Sequence, residues 1–193
     1  EPVGSTTTII ASMYQEKGLM PSEKLAGMMA AAIVSDTVMF KSPTCTQRDR
    51  NMAERMARIA NVSLDELGQQ IFSASWSDDK AARDLMMADF KDFHIAGHNL
   101  GVGQITCVNS AHIMERKNEF LAEMESTMKE KHYDMMLLML TDVLREGTQL
   151  IYLGGEDTIR MAFSQDAKQN SVFLPGVMSR KKQIIPALTA MWG

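Results

Sequence analysis

The chain has 193 residues, and its 20 Lys and Arg against 24 Asp and Glu give a formal net charge of -4 at pH 7. A general nucleic-acid-binding protein needs a basic surface to displace counterions, so this charge argues against that class. Hydrophobic residues make up 45% and charged residues 23%, the balance of a folded globular protein. The longest apolar runs, residues 28–34 and 135–140, are too short to cross a bilayer.

The ends and the cysteines of the chain set its expected context. The chain begins with Glu1 and Pro2 rather than Met, which indicates a fragment or a processed product. With two cysteines, Cys45 and Cys107, and no recognisable signal peptide, an intracellular protein with free thiols is expected. The 18 Met residues are scattered through the chain, and we expect them to fill much of the core.

The first part of the chain, residues 1–75, is predicted to be mostly helical. Each predicted helix begins at a residue whose side chain can cap the first turn. In the second helix, residues 25–34 are apolar on every face, which predicts burial all round. The predicted helices begin at Ser5 or Thr6, with Gly18 at the end, then at Ser22, at Thr46 and at Ser63, with the last ending near Phe72.

The second part of the chain mixes strand and helix patterns, which indicates a small α/β unit. The polar stretch 73–79 is predicted to be a linker. The predicted strands are a hairpin of 90–97 and 100–108, a buried strand 135–144 with its neighbour 150–155, and a short apolar piece 172–176. The predicted helices are 79–87, one long helix capped by Ser110, 157–163, and a last helix from about Lys181.

Asp36 stands at the C-terminal end of the apolar second helix. Burying a carboxylate without a partner is costly, and the negative end of the helix dipole adds about 0.3–1 kcal/mol to that cost. A bound divalent cation would offset both penalties. The alternative is that the helix ends earlier and that Asp36 caps the loop backbone or pairs with Lys41.

The run Ser179-Arg180-Lys181-Lys182 is the densest positive charge in this acidic chain. Arg offers a planar fork to phosphate oxygens and Lys a compact charge, so the run is a candidate anion site. Lys91, between two aromatic residues in the segment 90–93, is a second candidate. The alternative for both is an ordinary solvated basic surface.

Five segments, taken in order, resemble the manganese-dependent (family II) inorganic pyrophosphatases of the Asp-His-His phosphoesterase superfamily. The resemblance runs over essentially the whole chain, and its strongest parts are the Ser-Asp-Thr block and the Ser-Arg-Lys-Lys segment. The family's other metal-ligand motifs, His-x-x-x-Asp-x-Asp and Asp-His-His, do not occur in these residues. The segments are EPVGSTTTI, AIVSDTVMFKSPTCT, FKDF, LMLTDVL with a following Gly-Gly, and GVMSRKKQIIPAL.

The resemblance implies an α/β enzyme in which residues 1–75 form the C-terminal, helical part of the metal-binding Asp-His-His domain. Residues 76–193 would form the small mixed-sheet α/β domain that clamps the substrate. By the same resemblance, Asp36 is a metal ligand, and Lys91, Arg180 and Lys181 bind the substrate phosphates. No other catalytic residue is expected in these 193 residues.

The implied activity is that of a cytosolic inorganic diphosphatase, which hydrolyses pyrophosphate to two phosphates using Mn²⁺ or Co²⁺, with Mg²⁺ as an alternative. Neither nucleic acid nor membrane is expected as a partner, and the family leaves a homodimer open. This chain alone is expected to be inactive, because one aspartate does not hold a metal cluster. The alternatives are another phosphoesterase of the superfamily and a non-catalytic phosphate- or nucleotide-binding module.

Overall fold

The chain divides into two compact units, Glu1–Ala74 and Ser75–Gly193, here called the N-terminal unit and the C-terminal unit. The computed structural model describes residues 2–74 and 76–193. Glu1, and Ser75 within the predicted linker, lie outside the described residues. Among those described, no helix has the length and apolar character needed to cross a bilayer.

The N-terminal unit is helical over its described residues, and all four predicted helices are confirmed. Ser5, Ser22 and Thr46 each accept a hydrogen bond from a backbone N–H of the first turn, as their positions predicted. Gly18 follows the first helix with a φ of 63°, in the left-handed region. The helices are α1 Thr6–Glu16, α2 Glu23–Asp36, α3 Gln47–Ala60 and α4 Leu64–Ala74.

Helix α2 is buried on one side and not all round, so that prediction is wrong. The Met28 side chain is 61% exposed, while Ala30 and Ile33 are fully buried. An apolar pattern shows which residues tolerate burial, but the number of neighbouring elements decides how many are covered. The core of this unit is built from small residues and methionines: Ala11, Ala26, Met29, Ala30, Met56 and Ala57.

The C-terminal unit is built on a five-stranded mixed sheet, which confirms the α/β class. The strand order is β1-β2-β3-β4-β5. The β2–β3 pair is parallel, and the other neighbouring pairs are antiparallel. The strands are β1 Phe90–Ile95, β2 His98–Cys107, β3 Met135–Asp142, β4 Gly147–Leu153 and β5 Ser171–Pro175.

Helices cover both faces of this sheet. On one face α5, α6 and α7 pack against the strands, and on the other α8, a π-helix and α9 do so. All eight residues of β3, at the centre of the sheet, are buried. The helices are α5 Ala82–Met87, α6 Ser110–Met114, α7 Lys117–Lys131, α8 Glu156–Phe163, the π-helix Arg180–Ile184 and α9 Ile185–Trp192.

The long helix predicted from Ser110 is two helices, α6 and α7, with a break at Glu115 and Arg116. Asn109, not Ser110, caps the first of them through its side chain. At the break, the Arg116 guanidinium donates hydrogen bonds to the carbonyl oxygens of Asp78 and Lys80 at 3.4 and 3.0 Å. A tertiary contact with the segment before α5 therefore accompanies the interruption, which local periodicity cannot reveal.

Candidate functional site

Asp36 is the last residue of α2, as predicted, but its side chain is exposed. The expectation of a carboxylate buried in an apolar setting is therefore wrong, because residues 35 and 36 turn outward at the helix end. The alternative of an earlier helix end is wrong as well. A solvent-exposed carboxylate is stable as an anion without a bound cation. The surroundings of Asp36 therefore do not require a metal ion at this position.

The Asp36 carboxylate is held by the N-terminal end of α1. The Ser5 hydroxyl donates a hydrogen bond to Asp36 Oδ2 at 2.6 Å. Ser5 is placed in turn by the buried Asp49, whose Oδ1 accepts from the Ser5 backbone N–H at 3.2 Å. Asp36 is thus an oriented surface carboxylate at the end of a helix.

Asp49 connects the N-terminal ends of α1 and α3. Its carboxylate accepts hydrogen bonds from the Gly4 backbone, the Thr8 hydroxyl, and the Thr46 backbone and hydroxyl. Burial alone would raise the pKa of this carboxyl. The hydrogen bonds outweigh that effect and lower its pKa to about 2. Asp49 is therefore charged near neutral pH and fixes the backbone around Ser5.

The described residues do not by themselves fit a metal cluster. Residues 2–74 and 76–193 contain no group of three or more His, Cys, Asp or Glu side chains that could hold a metal ion. Divalent cations in proteins take at least four ligands. Asp36 can supply a carboxylate to such a site but cannot form one.

Arg180 begins the π-helix and is buried, with 6% of its surface exposed. Its Nη1 donates to the backbone oxygens of Asp89 and Val102 at 2.9 and 3.0 Å, and its Nη2 donates to the Asp89 carboxylate at 2.7 Å. The guanidinium therefore ties the π-helix to β2 and to the residue that directly precedes β1.

Lys91 lies on β1 beside the residues that hold Arg180. Its cross-strand partner in the β1–β2 ladder is Val102, whose carbonyl accepts from Arg180. Lys181 follows Arg180 in the chain, and both lysine side chains are exposed. The structure thus brings Lys91 and Arg180 to neighbouring positions of the C-terminal unit, with Lys181 adjoining. Asp36 lies in the other unit.

The loop before the π-helix is fixed by polar side chains. Gln183 Oε1 accepts from the backbone N–H groups of Met178 and Ser179 at 2.8 and 3.0 Å, and its Nε2 donates to the Gly176 carbonyl at 2.8 Å. From the sheet, the Thr148 hydroxyl donates to the Val177 carbonyl at 2.6 Å. The basic segment is therefore presented on a braced loop.

Sequence reasoning missed Asp89 and Gln183. Both stand in segments that had been singled out: Asp89 directly precedes the 90–93 segment, and Gln183 directly follows Lys182. The acidic residue at position 89 was visible in the sequence as a possible partner for some cation. The identity of that cation was not visible, because Arg180 is 91 residues away.

The two cysteines are free, as predicted. Burial raises the pKa of the Cys107 thiol to about 12, and burial also raises the pKa of Cys45. A thiol with a raised pKa carries little thiolate near neutral pH, and thiolate is the nucleophilic form. Neither cysteine has the character of a catalytic nucleophile.

Comparison with known proteins identifies the family. The DHHA2 domain model matches residues 69–191. A manganese-dependent inorganic pyrophosphatase of Methanothrix thermoacetophila is 42% identical over 193 residues, covering 97% of this chain and 62% of the relative. A cobalt-dependent inorganic pyrophosphatase of Clostridium perfringens is 39% identical over 191 residues, covering 98% of this chain and 35% of the relative.

The fold has a solved counterpart. A crystal structure from Methanococcus jannaschii, described as a family II inorganic pyrophosphatase, superposes with a TM-score of 0.83 at 34% identity. It covers 100% of this chain, which spans 66% of that structure. The chain therefore spans less than two thirds of these relatives, and the similarity confirms the resemblance to family II inorganic pyrophosphatases. With the domain model matched over residues 69–191, the chain belongs to the DHHA2 domain family.

Proposed function

We propose that the full-length protein hydrolyses inorganic pyrophosphate to two phosphates. The observation that carries this proposal is the similarity to relatives named inorganic pyrophosphatases, at 42% identity over 97% of the chain for one of them. The basic site on the C-terminal unit, formed by Lys91, Arg180 and Lys181, supports the proposal, because pyrophosphate is a compact, highly charged anion. Within the whole enzyme, residues 76–193 would form the substrate-clamping domain and residues 1–75 part of the metal-binding domain.

The basic site is proposed to bind the two phosphoryl groups through Lys91, Arg180 and Lys181. Lysine ammonium groups provide mobile point charges, and a guanidinium provides donors in fixed directions. These cations neutralise the negative charge of the substrate and stabilise the charge that develops on the leaving phosphate. The braced loop at residues 176–179 holds two of them at the start of the π-helix.

Mn²⁺ or Co²⁺ is the proposed cofactor, by analogy with relatives whose names state these metals. Bound divalent ions lower the pKa of a coordinated water and so supply a nucleophile at neutral pH. Asp36 is proposed as one ligand. Because the described residues do not form a metal cluster, the remaining ligands are assigned to the part of the full-length enzyme outside these 193 residues.

Arg180→Ala in the full-length protein tests the proposal. We expect turnover of pyrophosphate to fall by roughly tenfold or more, because at least one charge-assisted hydrogen bond to phosphate is lost. Phosphate release in the presence of Mn²⁺ is the measurement. Lys168→Ala is a matched control: this exposed lysine of the same unit pairs with Asp166, away from the basic site, and its loss should leave turnover unchanged.

Two results would contradict the proposal. Near-normal hydrolysis by Arg180→Ala would contradict the phosphate-binding role of Arg180. A full-length wild-type protein that shows no Mn²⁺- or Co²⁺-dependent hydrolysis would contradict the proposed activity. The 193-residue chain alone is expected to release no phosphate, since a single aspartate does not hold a metal cluster. Metal-independent binding of pyrophosphate without hydrolysis by the full-length protein would favour a binding module instead.

A further inference from the structure

The Arg180 guanidinium is held at its far end by Asp89. The backbone carbonyl of Asp89 accepts from Nη1, and the carboxylate of the same residue accepts from Nη2. Val102 takes the second N–H of Nη1. The Asp89 side chain is 53% exposed, whereas that of Arg180 is 6% exposed. The solvent-exposed carboxylate of Asp89 therefore orients the buried guanidinium of Arg180.

The same arrangement leaves one side of the guanidinium unused. A guanidinium has five N–H donors, of which Asp89 and Val102 occupy those of Nη1 and one of Nη2. The Nε atom is buried and has no hydrogen-bond partner among the described residues. Buried polar groups almost always have a partner, so an unpaired one calls for an explanation. In the planar group, Nε–H lies beside Nη2, and together they form a fork that matches two phosphate oxygens.

We propose that Asp89 is a positioning residue of the phosphate site. It holds the far end of the Arg180 guanidinium against β1 and β2, so that the Nε–H side is reserved for a phosphate oxygen of the substrate. This inference rests on the proposed function, since it takes pyrophosphate as the ligand. Lys91, two residues after Asp89, is exposed, and its cross-strand partner is Val102, whose carbonyl accepts from Arg180.

Two other roles of Asp89 would change pyrophosphate binding differently. If its carboxylate competed with phosphate for Arg180, removing it would tighten pyrophosphate binding. If Asp89 only stabilised the fold, its removal would lower the melting temperature and leave affinity unchanged in the folded fraction. Positioning predicts weaker binding in a folded protein, with recovery by a side chain that keeps the hydrogen-bond acceptor. The three roles therefore differ in the sign of the effect.

The experiment measures pyrophosphate binding to the 193-residue chain without metal, by calorimetry and by NMR of arginine Nε–H groups. Arg180→Lys assigns the Arg180 resonance. In the wild type, pyrophosphate should shift that resonance. Asp89→Ala, which removes the Nη2 bond and leaves the two backbone bonds of Nη1, should reduce the shift and weaken binding by roughly tenfold, the loss expected for one charge-assisted hydrogen bond. Asp89→Asn keeps an acceptor for Nη2 and should bind within about threefold of wild type.

Asp92→Ala is the matched control. Asp92 is an exposed acid on β1, three residues after Asp89. Its carboxylate accepts a hydrogen bond from the Tyr133 hydroxyl, and its Oδ1 lies 4.0 Å from Lys131 Nζ. Its removal changes the net charge as Asp89→Ala does, yet binding should change by less than about twofold. Melting curves establish that each variant is folded. If Asp89→Ala does not fold, Asp89→Ser, whose hydroxyl is too short to replace the carboxylate, takes its place.

Three results would overturn the inference: equal affinity in Asp89→Ala and Asp92→Ala, tighter binding in Asp89→Ala, or a wild-type Arg180 resonance that does not move. Failure of the proposed function is seen separately, as a full-length protein that does not hydrolyse pyrophosphate. If such a protein still bound pyrophosphate through Arg180, and if Asp89→Ala weakened that binding, the positioning role of Asp89 would hold although the proposed hydrolysis would not.

Discussion

Asp49 shows how a single buried charge organises the N-terminal unit. Five hydrogen bonds from Gly4, Ser5, Thr8 and Thr46 converge on its carboxylate. A buried anion is costly unless it is fully hydrogen-bonded, and here the bonds offset that cost. Through Ser5, the same group places the Asp36 carboxylate at the surface.

Asp49 also predicts how stability depends on pH. Its pKa is about 2 in the folded chain, below its usual value of 3.8, so its contribution is complete above about pH 5 and is lost progressively as the pH falls to 2. That contribution is roughly 2 kcal/mol. Between pH 7 and pH 3 we therefore expect the wild type to lose more stability than Asp49→Asn does. Urea unfolding at the two pH values measures the difference, and parallel losses would contradict the prediction.

At the scale of one residue, the sequence predicted where a residue stands in a helix or a charged segment. It did not predict the exposure of the side chain or its partners. The helix-end position of Asp36 followed from local patterns, but its exposure depends on where the chain turns after α2. The basic run was visible as composition, whereas the Asp89–Arg180 pair joins residues 91 positions apart. Whether Asp36, Lys91 and Lys181 bind metal or substrate stays a prediction.

At the scale of the elements, periodicity predicted most strands and helices because each buries one face. Periodicity failed where a contact with residues distant in the sequence determines where a helix begins or ends. The break between α6 and α7 coincides with hydrogen bonds from Arg116 to Asp78 and Lys80. The predicted helix 79–87 begins later, at Ala82, since the residues before it are used in those contacts. Exposure of Met28 likewise depends on how many elements pack around α2.

Two glycines offer a matched test of packing between elements. At Gly27 in α2, an added Cβ would lie 3.6 Å from Ala60 Cβ, an ordinary contact, whereas at Gly103 in β2 it would lie 2.8 Å from the Met86 carbonyl oxygen. Gly27→Ala should raise the free energy of unfolding by about 0.5–1 kcal/mol. Gly103→Ala should lower it by about 1–3 kcal/mol.

Urea denaturation followed by circular dichroism measures both changes. Because the two substitutions are chemically identical, their effects on the unfolded chain are alike, and the difference reports the native environments. Shifts of the same sign would contradict the packing described here.

At the scale of the whole molecule, the C-terminal unit has what an independent domain needs. Its sheet carries a hydrophobic cluster on each face, and β3 is buried throughout. The segment before α5 also belongs to this unit: Trp76 donates to Asp78 at 3.0 Å and packs with the cluster beneath α7. The N-terminal unit, by contrast, exposes apolar side chains along α1, with Ile9, Ile10 and Met13 between 42 and 48% exposed.

We therefore expect residues 76–193 to fold alone, with a dispersed NMR spectrum and one cooperative unfolding transition. A truncated chain of residues 82–193 is the control, since it lacks Trp76 and Asp78 and should melt at a lower temperature. If residues 76–193 bound hydrophobic dyes and lost near-ultraviolet circular dichroism, their core would depend on the rest of the chain.

The outer position of β1 gives Lys91 a second consequence. Within residues 2–74 and 76–193, β1 is at the edge of the sheet and has β2 as its strand neighbour, so one side of its backbone is available for pairing with another polypeptide. Exposed Lys91, Asp92 and His94 line this strand, and charged side chains on a border strand discourage intermolecular β-pairing. We therefore expect Lys91, proposed to bind phosphate, also to discourage intermolecular β-pairing, and its replacement by a neutral residue to lower solubility as well as ligand binding.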